Sequence, residues 1–241
     1  MRVRLDQLVV EKGLAPSRER ARALILAGQV SVDGQLQTKA GAQIASDADV
    51  ALIAPDHPYV GRGGIKLAHA LDTFGIGVTG RDALDIGAST GGFTDVLLQR
   101  GAARVVALDV GHGQIDWRLR NDPRVVVMEH FNARRLQLSD LPGPMDIVTI
   151  DVSFISLRQI LPVVPPLLRG GADVIALVKP QFEAGRREIR KGVIHDAGIH
   201  ARVVDEVSTA AREVGLQCIA STPSPITGAK GNVEFLLHLR T

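Results

Sequence analysis

Apolar positions in the first fifty residues follow two short helical periods and then an alternating one. Leu5, Leu8 and Val9 share one helical face, and Gly13 ends that segment. Ser17 is placed to cap a second helix, which turns Ala21, Leu24 and Ile25 inward and stops at Gly28. Val30 to Val32, the pair Asp33-Gly34 and Gln35 to Gln37 have the pattern of a hairpin, and Asp49 to Ile53 reads as a further strand. Pro55 to Pro58 interrupts the periodicity. Ile65, Leu67, Ala68, Leu71 and Phe74 then recur at helical spacing up to Gly75. From residue 80 strands and helices alternate: strand 81–86, helix 92–100, strand 104–109, helix near 113–120, strand 124–128, strand 145–151, helix 157–169, strand 172–178, helix 197–214, and strands 216–222 and 233–239.

This alternation predicts a doubly wound α/β sheet. No helix separates the last two strands, so they are expected to pair antiparallel at one side. A Rossmann-like sheet of seven strands with such a terminal hairpin is the methyltransferase arrangement, by analogy of fold. The expected organisation is a small α+β domain over residues 1–55, a linker over 56–64 and the large α/β domain over 65–241.

Composition narrows this picture. The chain has 241 residues and is 45% apolar, enough for a large core. A single cysteine, Cys218, rules out a disulfide framework and fits a reducing, cytoplasmic setting. The first residues carry charges every second or third position, unlike a secretion signal, and no apolar run reaches the length of a membrane helix. A monomer is expected. Net charge is only +2, but it is unevenly spread. Residues 1–30 hold six basic groups against three acidic ones, whereas 31–60 hold one against four. A basic helical face on so small a domain suits either contact with a phosphate backbone or plain solvation. Of the 28 basic residues, 22 are Arg and six are Lys. Where only charge is needed this chain uses Arg, so a Lys at a special place suggests a group that must lose a proton.

The candidate chemistry centres on Asp85-Ile-Gly-Ala-Ser-Thr-Gly-Gly-Phe-Thr-Asp95. A strand ends in a carboxylate, a glycine-rich turn follows and a helix opens, a layout that holds nucleotide-like ligands. The strict G-x-G-x-x-G spacing is absent, which weakens a dinucleotide reading. Asp109, about twenty residues further on, ends the next strand, where a carboxylate can take ribose hydroxyls or merely cap a helix. Asn132, Asp151 and Lys179 also follow apolar strands and would reach the same open edge. Lys66 falls in the first turn of its helix, where the dipole disfavours a cation. If the ligand is S-adenosylmethionine, the methyl is already activated, and the protein must orient an acceptor and manage one proton. A lysine can accept that proton once burial or a second cation disfavours its charged form, and Lys66 is the candidate neighbour of Lys179. Asp151 would place one ammonium and Glu234 the other.

Two resemblances follow from these strings. Residues 3–54, with Arg4-Leu-Asp, Ser17-Arg18, Ala21-Arg22, Leu24-Ile25 and Gly28-Gln-Val-Ser-Val-Asp-Gly34, resemble the small RNA-binding module named after ribosomal protein S4. That likeness makes Arg4, Arg18, Arg20, Arg22 and Lys39 RNA-contact candidates. The order Lys66, Asp151, Lys179, Glu234 resembles the ribose 2′-O-methyltransferases of the FtsJ type. Gly61-Arg-Gly-Gly-Ile-Lys66, Asp151-Val-Ser-Phe-Ile-Ser156, Lys179-Pro-Gln-Phe-Glu183 and Gly231-Asn-Val-Glu-Phe235 are closer still to the TlyA (haemolysin A) family. The resemblance implies S-adenosylmethionine as methyl donor and a cytidine 2′-hydroxyl of ribosomal RNA as acceptor, with Lys66, Asp151, Lys179 and Glu234 as catalytic set. It implies that Asp85, Gly87, Ser89, Gly91, Gly92 and Phe93 line the donor, that Asp109 holds its ribose and that Asn132 lies near its adenine. No metal is implied. Arg62, Arg134 and the basic loop Gly185 to Lys191 are further candidates for the RNA backbone. Aromatic residues are 3% of the chain, so charge and shape, not stacking, should dominate RNA binding. Two other readings stay open: a haemolysin acting on membranes, and an RNA-binding protein without catalysis.

Overall fold

The structure is a computed structural model that describes residues 2–26, 28–53, 57–185, 187–189 and 191–241. The chain forms two compact units, Met1–Pro58 and Tyr59–Thr241. In the first, β1 (Arg2–Arg4) leads into α1 (Leu5–Glu11) and α2 (Arg18–Leu26), followed by β2 (Val30–Val32), β3 (Gln35–Gln37), β4 (Gln43–Ala45) and β5 (Val50–Leu52). Strand β2 lies between β3 and β5, and β1 pairs antiparallel with β4. The inward residues are those with apolar period: Leu5, Leu8, Val9, Ala21, Leu24, Ile25, Val30, Val32 and Val50 are all buried. The Ser17 hydroxyl accepts from the Arg20 backbone N–H at 3.2 Å, as its capping position requires.

The second unit begins with α3 (Gly63–Phe74), which Gly75 ends in the left-handed conformation. Then come β6 (Asp82–Ile86), α4 (Gly92–Gln99), β7 (Arg104–Leu108), α5 (Trp117–Arg120), β8 (Val125–Met128), β9 (Met145–Ile150), β10 (Leu168–Val178), α6 (Pro180–Glu183), α7 (Ala197–Glu213), β11 (Gln217–Pro223) and β12 (Phe235–Arg240). The seven strands run in the order β11-β12-β10-β9-β6-β7-β8, and β12 is antiparallel to both of its neighbours. Strand alternation supplies two apolar layers. Leu84, Ile86, Val106, Val148 and Val174 face α7, while Ala83, Val105, Ile147 and Ile175 face α3 and α4. The chain leaves β6 toward β7 and β8 and returns to β9 on the other side, so the crevice beyond the carboxyl ends of β6 and β9 is the topological switch point.

One expected element is absent. The helix over 157–169 is instead three short 3₁₀ turns, Leu157–Gln159, Leu161–Val163 and Pro165–Leu167, and the strand begins at Leu168. Apolar spacing fits a helix there, but Pro162, Pro165 and Pro166 each lack an amide donor, and the backbone settles for i to i+3 turns. The helix near 113–120 is likewise confined to α5. Pro55 and Asp56 of the linker, and Arg186 and Arg190 of the basic loop, lie outside the described residues.

Candidate active site

Gly87 follows β6 with φ of +88°, and a Cβ there would collide with the Asp151 carbonyl. The turn can therefore lie against the end of β9, where the Asp151 N–H donates to the Ile86 carbonyl at 2.9 Å. Beyond it opens a cavity of about 490 Å³, lined among others by Gly87, Ser89, Asp109, Gln114, Phe131, Asn132, Arg134 and Asp151. That volume is ordinary for a small-molecule site. The Asp109 carboxylate is held from below by the Ser89 N–H at 2.8 Å and the Gly111 N–H at 2.7 Å. The Asn132 side chain caps a short turn by accepting from the Arg134 N–H at 3.1 Å.

A second cavity, of about 250 Å³, adjoins the first. Lys66, Asp151, Lys179 and Glu234 all line it, together with Arg62, Gln181, Phe182 and the loop Ile226 to Ala229. Lys179 Nζ lies 2.5 Å from Asp151 Oδ1 and donates to the Ser153 hydroxyl at 2.9 Å. Lys66 Nζ donates to Glu234 Oε2 at 2.5 Å, with both side chains nearly closed to solvent. Gly228 is required beside this pair, because a Cβ would overlap the Glu234 carboxylate. Two lysines distant in sequence thus sit in one cavity, each on its own carboxylate. Asp151, Ser153 and Phe154 line both cavities and form the wall between them.

Not every expected donor-lining residue faces this space. Asp85 is wholly buried, and its carboxylate accepts from the hydroxyls of Thr94 at 2.7 Å and Thr149 at 2.9 Å. Burial pushes its carboxyl up to about 6, against the pull of these two hydroxyls. It supports the turn from beneath and does not line the cavity. Gly91, the left-handed cap of α4, turns toward Ile115 and Leu119 and is also outside the lining. Gly92 and Phe93 border only a narrow cleft of about 130 Å³ beside Gly63, Gly87 and Asp151.

Sequence reasoning missed the aromatic pair. Phe154, with φ of +64° and 91% exposed, lies 5.1 Å from the Phe182 ring at the mouth of the second cavity. Both residues stand inside motifs already quoted, but nothing in the string signals a left-handed, outward phenylalanine.

The RNA-contact candidates are spread over both units. In the first, Arg4 and Arg18 converge on the buried Asp6, at 2.9 and 3.3 Å, and Arg4 chiefly holds that carboxyl down to about 2. Arg20 donates to the His57 carbonyl at 2.8 Å, Arg18 and Arg22 border one recess, and Lys39 is exposed. In the second, Arg62 precedes α3 and Arg134 donates to Gln159 at 3.3 Å.

Residues 59–241 match the FtsJ-like methyltransferase family, and residues 3–50 match the S4 domain. The chain belongs to the FtsJ-like methyltransferase family. It is 47% identical to the 16S/23S rRNA (cytidine-2′-O)-methyltransferase TlyA of Mycobacterium tuberculosis, over all of this chain and 90% of that one. It is 42% identical to Hemolysin A of Brachyspira hyodysenteriae, over 98% of this chain and 99% of that one. A candidate hemolysin of Streptococcus thermophilus has a solved structure with TM-score 0.80 and 43% identity, covering 100% of this chain and 88% of that one. At full length the chain is thus a member of the TlyA (haemolysin A) family. Among the described residues, no helix is long and apolar enough to cross a membrane.

Proposed function

We propose that this protein transfers the methyl group of S-adenosylmethionine to a ribose 2′-hydroxyl of a cytidine in ribosomal RNA, with Lys179 as general base. The observation that carries the reading is the place of Asp151: it stands in the wall shared by two cavities and holds Lys179 at 2.5 Å.

The larger cavity suits the donor. Its glycine turn exposes backbone, Asp109 offers a carboxylate already oriented by two N–H groups, and Asn132 stands further along the wall. When bound, the donor supplies a methyl group already activated as a sulfonium. What remains for the chain is to align the acceptor and remove one proton, and general base catalysis of that kind contributes about 10²–10⁴-fold. Lys179, as the neutral amine, takes the proton of the ribose hydroxyl and becomes an ammonium beside the Asp151 carboxylate. Asp151 and Ser153 fix the direction of its amine. Lys66, neutralised by Glu234, presents its remaining N–H donors to the ribose oxygens from the other side of the cavity.

Phe154 and Phe182 offer an apolar face to the acceptor's base at the cavity mouth. Stacking then serves one nucleotide, while Arg4, Arg18, Arg20, Arg22, Lys39, Arg62 and Arg134 contact the RNA backbone. Ribosomal RNA as acceptor places the reaction in the cytoplasm. The test is to incubate the full chain with ribosomal subunits and isotopically labelled donor, then map the label. It should appear on a cytidine 2′-oxygen, and label on a base, or none, would overturn the reading.

A further inference from the structure

Two segments carry one half of the second cavity, residues 151–156 after β9 and 179–184 after β10. Between them lies a buried carboxylate to which the reaction above gives no part. Glu183 ends α6 and is 6% exposed. Its Oε2 accepts from the Ser156 hydroxyl at 2.5 Å, and its Oε1 accepts from the Leu157 N–H at 2.7 Å. Arg158 Nε lies 3.6 Å from Oε2, and the same guanidinium donates to the Glu183 carbonyl at 2.9 Å.

This arrangement is costly to folding. Burial pushes the Glu183 carboxyl up, and Ser156, Leu157 and Arg158 only partly offset it, with Glu206 adding repulsion. An apolar residue filling the same space would avoid that cost. A carboxylate does one thing an amide does not: both of its oxygens accept at once. It therefore fixes the chain at Ser156 and at Leu157 together. The single turn of α6 joins Glu183 to Lys179, with the Phe182 N–H donating to the Lys179 carbonyl at 2.8 Å. Three residues before Ser156 stands Ser153, and Phe154 follows it. Lys179 with Asp151 and Ser153, and Phe182 with Phe154, all lie between this tie and the last paired residues of the two strands, Ile150 and Ala176.

We propose that Glu183 is a positioning residue: through Ser156 and Leu157 it sets the register of the two segments, so that Lys179 and Phe182 meet their partners. The proposal rests on the reading of Lys179 as proton acceptor. A misplacement of about 1 Å in such a constellation costs on the order of a hundredfold in rate.

The test uses the full chain as wild type, Glu183→Ala, Glu183→Gln and Ser156→Ala. Single-turnover methyl transfer, donor affinity by calorimetry and amide hydrogen exchange are measured for each. Glu183→Ala should slow transfer by about tenfold or more, while the donor dissociation constant changes much less, by no more than a few fold, because the glycine turn, Asp109 and Asn132 lie outside the tied segments. Glu183→Gln keeps an acceptor for only one of the two donors and should recover only part of the rate. If Glu183→Ala does not fold, Ser156→Ala carries the test, with a loss of several fold expected. Unchanged transfer in the variants, or a rate and a donor affinity that fall together, would overturn the proposal. If the wild type itself methylates no ribose, the functional reading fails, and exchange then decides this point separately. Faster exchange at residues 152–157 in the variants supports the tie, and unaltered protection there defeats it.

Discussion

The two ends of the same sheet both carry ion pairs, but only the carboxyl ends use lysines. Around the amino ends of the parallel strands the cations are arginines. Arg104 pairs with Asp82 at 3.1 Å, Arg169 with Asp146 at 2.7 Å, and Arg81 and Arg240 with Asp173 at 2.8 and 2.7 Å. Arg81 also donates to the Asp146 carbonyl, and His238 meets Asp173 at 2.8 Å. At the carboxyl ends arginines pair as well, Arg158 with Glu183 and Arg120 with Glu129, but inside the second cavity the paired side chains are Lys66 and Lys179, each 2.5 Å from its carboxylate. A guanidinium stays charged and forks across neighbouring strands, which suits a clamp. A lysine can release its proton, and the neutral amine that remains has the lone pair a proton acceptor needs. In a chain with 22 Arg and six Lys, two of the lysines lie in the cavity where the proposed reaction would take place.

The largest effect expected from this contrast is on rate. Lys179→Arg keeps the charge beside Asp151 but removes the group able to lose a proton. Methyl transfer should fall by about a hundredfold or more, with donor affinity and thermal midpoint near wild type. Near-normal turnover in this variant would erase the distinction between the two ends. Next comes a stability effect at the other end. Burial raises the Asp173 carboxyl, but Arg81, His238 and Arg240 outweigh it and hold the group below its ordinary range. Asp173→Ala strands those cations and should cost about 3–5 kcal/mol in denaturant unfolding. Donor affinity of the remaining folded protein should be unchanged, and a specific loss of donor binding would mean that the amino end also serves the site.

A smaller effect of similar kind lies beneath the glycine turn, in Asp85. Its carboxyl is raised from 3.8 to about 6, so the folded state holds its proton more tightly than the unfolded chain. Stability from this group is therefore full below pH 4 and declines as pH rises to about 6, by about 3 kcal/mol in all. Asp6, held down to about 2, acts in the opposite sense and at lower pH, so the two windows do not overlap. Urea midpoints followed by Trp117 fluorescence between pH 4 and 8 should show the decline in wild type and a flatter profile in Asp85→Asn. Equal slopes in both proteins would remove Asp85 as the cause.

Much of this was readable in the string because it rests on local physics. Strand ends marked by a carboxylate or lysine after an apolar run placed Asp109, Asp151 and Lys179 at one edge. The misfit of a cation in a first helical turn drew attention to Lys66, which the structure brings to the same cavity. What could not be read depended on tertiary placement. Asp85 belongs to the glycine motif, yet Thr94 and Thr149 enclose it, and Thr149 lies on another strand. Phe154 looks like any core phenylalanine until its backbone is seen to be left-handed. Strands β1 and β4, of three residues each, are far apart in sequence and have no turn signal between them like the Asp33-Gly34 pair that marks β2 and β3. The segment 157–169 has helical spacing, and only the weight given to its three prolines decides against a helix.

The most direct measurement is a crystal structure of the full chain with S-adenosylhomocysteine. The ribose hydroxyls should lie on Asp109 and the sulfur beside Asp151, facing the cavity that holds Lys179 and Lys66. A ligand seated away from that wall, with its sulfur remote from both lysines, would contradict it.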